Sequence, residues 1–222
     1  MCDMKSNSSI SHGNLRGSLK MIVDGEHYDE VVSKAIRGAS VSVWIATANL
    51  KTMMVEAPVG TRARARGKYI SFFETLGDLA ARGVDVCILH ASPPSGPLRT
   101  ELARLAKLGG TKVKMRQCGR VHLKVIAVDG RLLYLGSANL TGAGLGAKGE
   151  GRRNFEMGIL TDSEAMLDAA QGKFDRIWRG KECASCKLRR ECPRPLDLAA
   201  NDVAATSRGG SRRTCRSPSS RR

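Results

Sequence analysis

The chain has 222 residues, of which 41% are hydrophobic, so it is long enough for one domain with a proper core. Its net charge of +16 and its pI near 10.0 favour a polyanionic partner. Aromatic residues make up only 4%, which argues against rows of stacked bases and leaves backbone contact as the mode of binding. No apolar run approaches the roughly 18 residues of a membrane-spanning helix, so no membrane partner is expected.

Both ends of the chain are predicted to be irregular. Residues 1–18 are polar and rich in Ser and Gly, which is typical of a flexible N-terminus. They lack the apolar core of a signal peptide, and the chain has seven Cys, an odd number, so we expect a reducing, cytoplasmic location. Residues 194–222 are rich in Pro, Ser and Arg, which predicts a disordered basic tail.

Apolar periodicity in the first half of the chain predicts alternating strands and helices. The predicted strands cover 21–23, 41–48, 84–89 and 111–115, and the predicted helices cover 28–36, 70–81 and 98–108. This order favours an α/β fold with layers around a mixed, largely parallel sheet that ends in hairpin-linked strands. Thr47-Ala48-Asn49 follow the second strand directly and could lie near the active end of the sheet.

A basic segment precedes the second predicted helix. Its sequence, TRARARGK, places cations at every second position: Arg62, Arg64, Arg66 and Lys68. A solvated basic loop is one interpretation, because runs of charge usually have that role. The alternative is a rim that contacts substrate phosphates beside the active site.

Residues 121–135 predict a β-hairpin. Apolar and polar residues alternate from Val121 to Val128 with the period of a strand. Asp129-Gly130 is a hairpin turn signal, and 132–135 form the returning apolar strand.

Four polar residues fall at the open end of this hairpin. A strand directs His122 and Lys124 to one face, about 7 Å apart, and the return strand brings Ser137 and Asn139 to the same end. An imidazole can attack phosphorus while an ammonium and an amide hold the non-bridging oxygens, so the group suits cleavage of a phosphodiester. The alternative is a half-buried hairpin with an ordinary surface His and Lys.

This pattern resembles the HKD signature of the phospholipase D superfamily. The matching spacing is His122-x-Lys124, four residues, Asp129, six residues, and Gly136-Ser137-x-Asn139. The resemblance implies an α-β-α sandwich of one phospholipase D repeat, here residues 19–180, and a phosphohistidine mechanism without a metal cofactor. His122 would attack phosphorus, Lys124 and Asn139 would bind the phosphoryl oxygens, and Ser137 would assist. Asp129 lies at the hairpin turn and is assigned a supporting role.

The chain contains one HKD motif. His12, His27 and His90 are not followed by Lys two residues later. Single-motif members of the superfamily pair two chains, so the resemblance implies a homodimer. The partner's His122 would then protonate the leaving oxygen.

A Gly-rich basic loop separates Asn139 from a predicted strand over 157–160. In related nucleases a Glu after the Gly-Ser-x-Asn segment hydrogen-bonds the catalytic His, and Glu156 resembles it at a longer separation. Such a carboxylate fixes the tautomer of the imidazole. The alternative is a surface acid at a strand end. Lys148, Arg152 and Arg153 of the loop could contact the substrate backbone.

Three cysteines follow a final predicted helix over 164–178. They lie in residues 181–193 as Cys183-x2-Cys186-x5-Cys192, a spacing similar to the cysteine triplet of iron–sulfur nucleases of the RecB type. Close thiolates in a polar stretch suggest a structural zinc or iron–sulfur cluster, and free or redox-active thiols are the alternative. A fourth ligand would come from the remaining cysteines, Cys118, Cys87, Cys2 or Cys215.

The sequence thus predicts a metal-independent nuclease that hydrolyses DNA or RNA at a dimeric HKD site. Two alternatives stay open. One is a phospholipase D that cleaves phospholipid, and the other is a nucleic-acid-binding module without catalysis.

Overall fold

The computed structural model describes residues 16–107 and 112–198. Several predictions lie outside these ranges: most of the flexible N-terminus and of the basic tail, and the candidate ligands Cys2 and Cys215.

Nine strands occur in the described residues, and seven of them form one sheet. In chain order they are β1 (Leu19–Val23), β2 (Ser42–Thr47), β3 (Met54–Glu56), β4 (Tyr69–Ser71), β5 (Asp85–His90), β6 (Lys114–Gln117), β7 (Val125–Val128), β8 (Leu132–Gly136) and β9 (Met157–Thr161). The sheet order is β1-β9-β8-β7-β2-β5-β6, and β3 pairs separately with β4.

The sheet is mixed, as the sequence predicted. β2, β5 and β6 pair in parallel, whereas all other neighbours in this sheet are antiparallel. In direction, β1, β2, β5, β6 and β8 run one way and only β7 and β9 run the other way. The predicted largely parallel sheet is therefore confirmed for strand direction, although the antiparallel pairs are more numerous than the parallel ones.

Helices cover both faces of the sheet. Four helices do so: a π-helix (His27–Ile36), α2 (Phe72–Ala81), α3 (Gly96–Lys107) and α4 (Glu164–Trp178), while the short α1 (Arg62–Arg66) and a 3₁₀ turn (Glu150–Arg152) lie in connections between strands. One core cluster joins the sheet to the π-helix, α2 and α3, and a second cluster joins it to α4. The predicted α-β-α sandwich is thereby confirmed.

β2 shows why the core has two halves. All six of its residues are buried, because helices cover both of its faces. Val43 and Ile45 belong to the first cluster, while Trp44 and Ala46 belong to the second. Trp44 stacks on Phe174 of α4 with ring centroids 5.2 Å apart. Burying a side chain such as Val43, Ile45 or Phe174 stabilises the fold by roughly 1.5–3 kcal/mol.

The basic segment predicted as a connection has regular structure. Arg62, Arg64 and Arg66 lie on the single-turn helix α1, between the paired strands β3 and β4. The Thr61 hydroxyl accepts the Arg64 N–H at 3.2 Å and caps this turn. The alternation of Arg with small residues therefore does not indicate a strand in this segment.

Two predicted boundaries are also corrected. The strand expected from Val121 begins at Val125, because both partner strands, β2 and β8, have their last paired residue opposite Val125. The tail expected to be disordered from residue 194 is ordered as far as residue 198. Leu196 is buried in the second core cluster, and Asp197 forms an ion pair with Arg189.

Candidate active site

Strand direction brings the predicted catalytic residues to one edge of the sheet. β2 and β8 end at this edge, while β7 and β9 begin there. We call it the polar edge and define it by the side chains of Thr47, Asn49, His122, Lys124, Ser137, Asn139 and Glu156. The exit of β2 lies at this edge, with Thr47 and Asn49 hydrogen-bonded to Asn139, as the sequence suggested.

His122 and Lys124 lie immediately before β7. The His122 ring is exposed, and Lys124 Nζ lies 3.2 Å from its Nδ1 and 3.3 Å from its Nε2. Buried Val121 anchors the segment, and Gly136 N–H donates to Lys124 O at 3.2 Å. Neither side chain pairs with a carboxylate among the described residues, so both can bind an anionic ligand.

The amide of Asn139 has a fixed orientation. Its Oδ1 accepts the Asn49 backbone N–H at 3.0 Å. Because a backbone N–H can only donate, the bonded atom must be the amide oxygen, and the NH₂ group is left to donate elsewhere. The Thr47 hydroxyl supports this arrangement, since it accepts the Leu140 N–H at 3.0 Å and donates to Asn49 O at 2.8 Å.

Gly136 of the motif is required by close packing. A Cβ at this position would overlap the hydroxyl of Tyr134 and lie 2.8 Å from Met157 O. The Tyr134 hydroxyl in turn accepts the Ala138 N–H at 3.3 Å, which shapes the backbone between Ser137 and Asn139. Burial raises the pKa of Tyr134 to about 12, so this phenol stays neutral.

Glu156 is held at the polar edge by neutral groups. The Ser137 hydroxyl donates to its carboxylate, and Asn154 Nδ2 donates to Oε1 at 3.0 Å. Its backbone N–H donates to Asp24 Oδ1 at 2.9 Å. No hydrogen bond joins it to His122 within the described part of the chain, so its role in orienting the imidazole stays a prediction.

Asp129 lies at the opposite edge of the sheet, in the turn between β7 and β8. Its carboxylate accepts the backbone N–H groups of Ser40 (2.9 Å), Val41 (2.8 Å) and Ser42 (2.9 Å). Burial by itself raises the pKa of Asp129, but these hydrogen bonds outweigh it and the pKa is lowered overall. Asp129 therefore links the hairpin turn to the start of β2 and does not contact the polar edge.

The predicted phosphate-contacting cations differ in whether a carboxylate already pairs with them. Arg64 and Lys68 both pair with Glu56, at 3.8 and 3.1 Å, which offsets part of their charge. Arg62 and Arg152 are exposed, and the Arg153 guanidinium lies against Gly25 at the end of β1. The side chain of Arg66 is outside the described part of the structure.

The sequence of residues 32–178 matches the family described as cardiolipin synthase, PLD-like domain. This range contains every described strand except β1, and it contains the whole HKD motif. The chain belongs to the phospholipase D-like family. Members of this superfamily are phosphodiesterases.

One relative of known name agrees with this assignment. Phospholipase D Z from Dictyostelium discoideum is 31% identical over 118 residues, which are 49% of this chain and 26% of that protein. This phospholipase D-like chain thus matches only a minor part of that relative's length.

Two solved structures share the fold. NucT from Helicobacter pylori has 20% identity and a TM-score of 0.50, over 72% of this chain and 94% of that one. Nuc from Salmonella typhimurium, a phospholipase D family member, has 19% identity and a TM-score of 0.52, over 73% and 95%. At these identities the likeness supports the architecture of the sheet and its helices.

His27 is a buried residue of this phospholipase D-like domain that sequence reasoning did not single out. Its Nδ1 lies 3.0 Å from Asp24 O, and its ring packs edge-on against Tyr134 with centroids 5.4 Å apart. Burial lowers the pKa of His27. The His27 ring packs against Tyr134 and helps to hold it in place. No sequence signal distinguishes His27 from a surface His on an amphipathic helix.

The cysteine segment lies beside α4. Cys183 and Cys118 pack against the second core cluster, and the Arg120 guanidinium hydrogen-bonds Cys186 and lowers its pKa. Within residues 16–107 and 112–198, no three His, Cys, Asp or Glu side chains are grouped so that they could hold a metal ion. Zinc or an iron–sulfur cluster at Cys183, Cys186 and Cys192 therefore stays a prediction.

None of the helices in the described residues combines the length and the apolar composition needed to cross a bilayer.

Proposed function

We propose that this chain hydrolyses the phosphodiester backbone of DNA or RNA through a phosphohistidine formed on His122, without a metal ion. One observation carries the proposal. An exposed imidazole, an ammonium 3.2 Å from its ring, and an amide with a free NH₂ group lie at one edge of the sheet. This is the arrangement that attack on phosphorus requires.

The proposed reaction has two steps. A ring nitrogen of His122 attacks phosphorus, the bond from phosphorus to the leaving oxygen breaks, and the partner's His122 protonates that oxygen. Water, activated by the same partner imidazole, then breaks the phosphorus–nitrogen bond and regenerates His122. Lys124 and Asn139 bind the non-bridging oxygens in both steps, and Ser137 holds Glu156 beside them.

An exposed apolar face supports the homodimer in this proposal. It comprises Leu19, Met21 and Val23 of β1 and Met157 of β9, which are 67%, 62%, 42% and 58% exposed. The intervening Ile22 packs into the first core cluster, so these side chains lie on the opposite side of the sheet from the π-helix. Val23 pairs with Met157, the residue after Glu156, so the face borders the polar edge.

A second copy is the occupant that best fits this face. Exposed apolar patches of this kind mark interaction sites. A two-fold axis beside the polar edge would bring both His122 rings to one phosphodiester, which a single motif cannot achieve alone.

Nucleic acid is the substrate that the charge favours. The chain carries +16, and a polymer of phosphodiesters binds cations by releasing condensed counterions. Phospholipid is the second candidate, because the relative from Dictyostelium is named a phospholipase D. Parallel assays on plasmid DNA, RNA and phosphatidylcholine vesicles discriminate the substrates.

The test compares wild type with His122→Ala, each with and without EDTA. We expect the substitution to lower cleavage by at least about 10³-fold, whereas EDTA leaves the wild-type rate unchanged. The thermal midpoint of the variant should stay the same, because the ring is exposed. Cleavage that survives His122→Ala but is lost in EDTA would contradict the proposal. Binding without turnover by the pure wild type would favour the non-catalytic alternative.

A further inference from the structure

A polar pocket of about 220 Å³ is lined in part by Asn139, and its other lining residues have no role in the two steps described above. Its lining includes the ammonium-bearing residues Lys51 and Lys148 and the neutral residues Asn49, Thr141 and Asn154. We infer that this pocket binds the phosphate next to the scissile one in a nucleic-acid strand. The inference rests on the proposed function and identifies a feature of the substrate, a second phosphate, that the reaction itself does not need.

Lys51 is fixed relative to the reacting groups. It follows Leu50, which forms a parallel bridge with Leu140, and its backbone N–H donates to Leu140 O at 3.1 Å. Both leucines are 2% exposed, so the bridge is anchored in the core. The backbone of Lys51 is therefore held against Leu140, the residue that follows Asn139.

Lys148 is fixed by the Gly-rich loop after Asn139. Its N–H donates to Gly142 O at 3.1 Å, and its aliphatic stem packs over Gly142, where an added Cβ would lie 3.7 Å from Cγ. A Cβ at Gly144 would meet Asn139 O at 2.6 Å, so the loop lies directly on the backbone of the site. The Gly-rich basic loop thus forms one wall of the pocket.

The charges in this pocket are unpaired. Neither Lys51 nor Lys148 forms an ion pair with another described residue, and no carboxylate lines the pocket. The basic segment near α1 differs, since Glu56 pairs with both Arg64 and Lys68. Unpaired cations in a concave site are the ones that can gain most from an anionic ligand.

Asn139 joins the pocket to the reaction centre. It lines the pocket and, in the proposed reaction, binds a non-bridging oxygen of the scissile phosphate. A group bound in the pocket is therefore a close neighbour of that phosphate along the substrate. In a nucleic-acid strand this neighbour is another phosphate, whereas phosphatidylcholine has only one.

The first experiment measures binding without cleavage. A fluorescein-labelled oligothymidylate is titrated by anisotropy against the dimer of His122→Ala, alone and combined with Lys51→Ala/Lys148→Ala. The matched control is Lys107→Ala/Lys112→Ala, which removes the same charge from exposed positions. These positions precede β6 and lie at the end of the strands away from the polar edge.

We expect Lys51→Ala/Lys148→Ala to weaken binding roughly tenfold or more. The slope of log affinity against log salt should become shallower by about 0.7, because the pocket holds one phosphate and each neutralised single-strand phosphate contributes about 0.7. Equal affinity and slope in the Lys51/Lys148 and Lys107/Lys112 variants would overturn the inference. Displacement of the oligonucleotide by phosphatidylglycerol vesicles at equal phosphate concentration would overturn its assignment to nucleic acid.

The second experiment uses bis(4-nitrophenyl) phosphate, which has one phosphate. Turnover of this probe by Lys51→Ala/Lys148→Ala should stay within about twofold of wild type. An equal loss on the probe and on the oligonucleotide would overturn the inference, since the lysines would then act at the reacting phosphate. A wild type that binds but does not cleave contradicts the proposed function alone, because the binding experiment remains decisive.

Discussion

The two ends of the β7–β8 hairpin differ in how their polar groups are satisfied. At the polar edge, His122 and Lys124 contact each other and no carboxylate among the described residues. At the other end, Asp129 accepts N–H groups from three consecutive residues that begin at Ser40. Both ends belong to one sequence signature. The comparison indicates that unsatisfied groups are available for chemistry, while a satisfied group stabilises the fold.

Asn139 should show the largest effect among the residues that support His122. Asn139→Ala removes the NH₂ donor from the phosphoryl oxygen, and we expect kcat to fall by about 10²–10³-fold. Stability should change little, since Asn49 is exposed and the Thr47 hydroxyl, 3.3 Å from the Asn139 Oδ1, keeps Asn49 O as its acceptor at 2.8 Å. The measurement is kcat on bis(4-nitrophenyl) phosphate together with the thermal midpoint. A kcat close to that of wild type would show that the amide does not contact the reacting phosphate.

The apolar face gives the next largest expected effect. Met21→Glu places a charge among Leu19, Val23 and Met157, so we expect the dimer to dissociate and activity to fall in parallel, by roughly tenfold or more. Light scattering and cleavage are measured on the same samples. Val59→Glu is the matched control, because Val59 is 87% exposed and lies outside this face. A fully active monomer would contradict the proposed pairing.

Asp129 should affect stability and leave activity nearly unchanged. Asp129→Asn weakens charged hydrogen bonds to the start of β2, so the free energy of unfolding should fall by about 1.5–3 kcal/mol. Urea unfolding and kcat of the folded variant test this. If kcat fell as far as in Asn139→Ala while stability stayed constant, Asp129 would belong to the site after all.

The contribution of Asp129 should also depend on pH. Its pKa is lowered in the folded protein, so the unfolded state binds the proton first as the pH falls. The stabilisation is therefore complete above the unfolded value near 3.9 and is lost as the pH drops through the lower folded value. The stability gap between wild type and Asp129→Asn should narrow below about pH 4. Urea unfolding at pH 7 and pH 3 measures it, and a constant gap would exclude this linkage.

Local sequence patterns predicted much of the fold and of the site. The turn at Asp129-Gly130 and the placement of Ser137 and Asn139 after β8 follow from the strand period and from turn residues with positive φ. The order of strands and helices likewise predicted the α-β-α layers. These features depend on residues that are close in the chain.

Other features depend on contacts between distant residues, which no local pattern contains. The orientation of Asn139 is set by Asn49, 90 residues earlier. The start of β7 is set by where its partner strands end, and the burial of Leu196 is set by the second core cluster. The pocket between Lys51 and Lys148 has the same origin, since it forms only when two loops meet.

The most direct test of the central claim is to trap the covalent intermediate. Wild type is mixed with oligonucleotide in EDTA and quenched in alkali, and its peptides are analysed by mass spectrometry. We predict a nucleotide adduct on His122 and on no other histidine, and none in His122→Asn. Undiminished cleavage by His122→Asn, or an adduct on a different residue, would contradict the account.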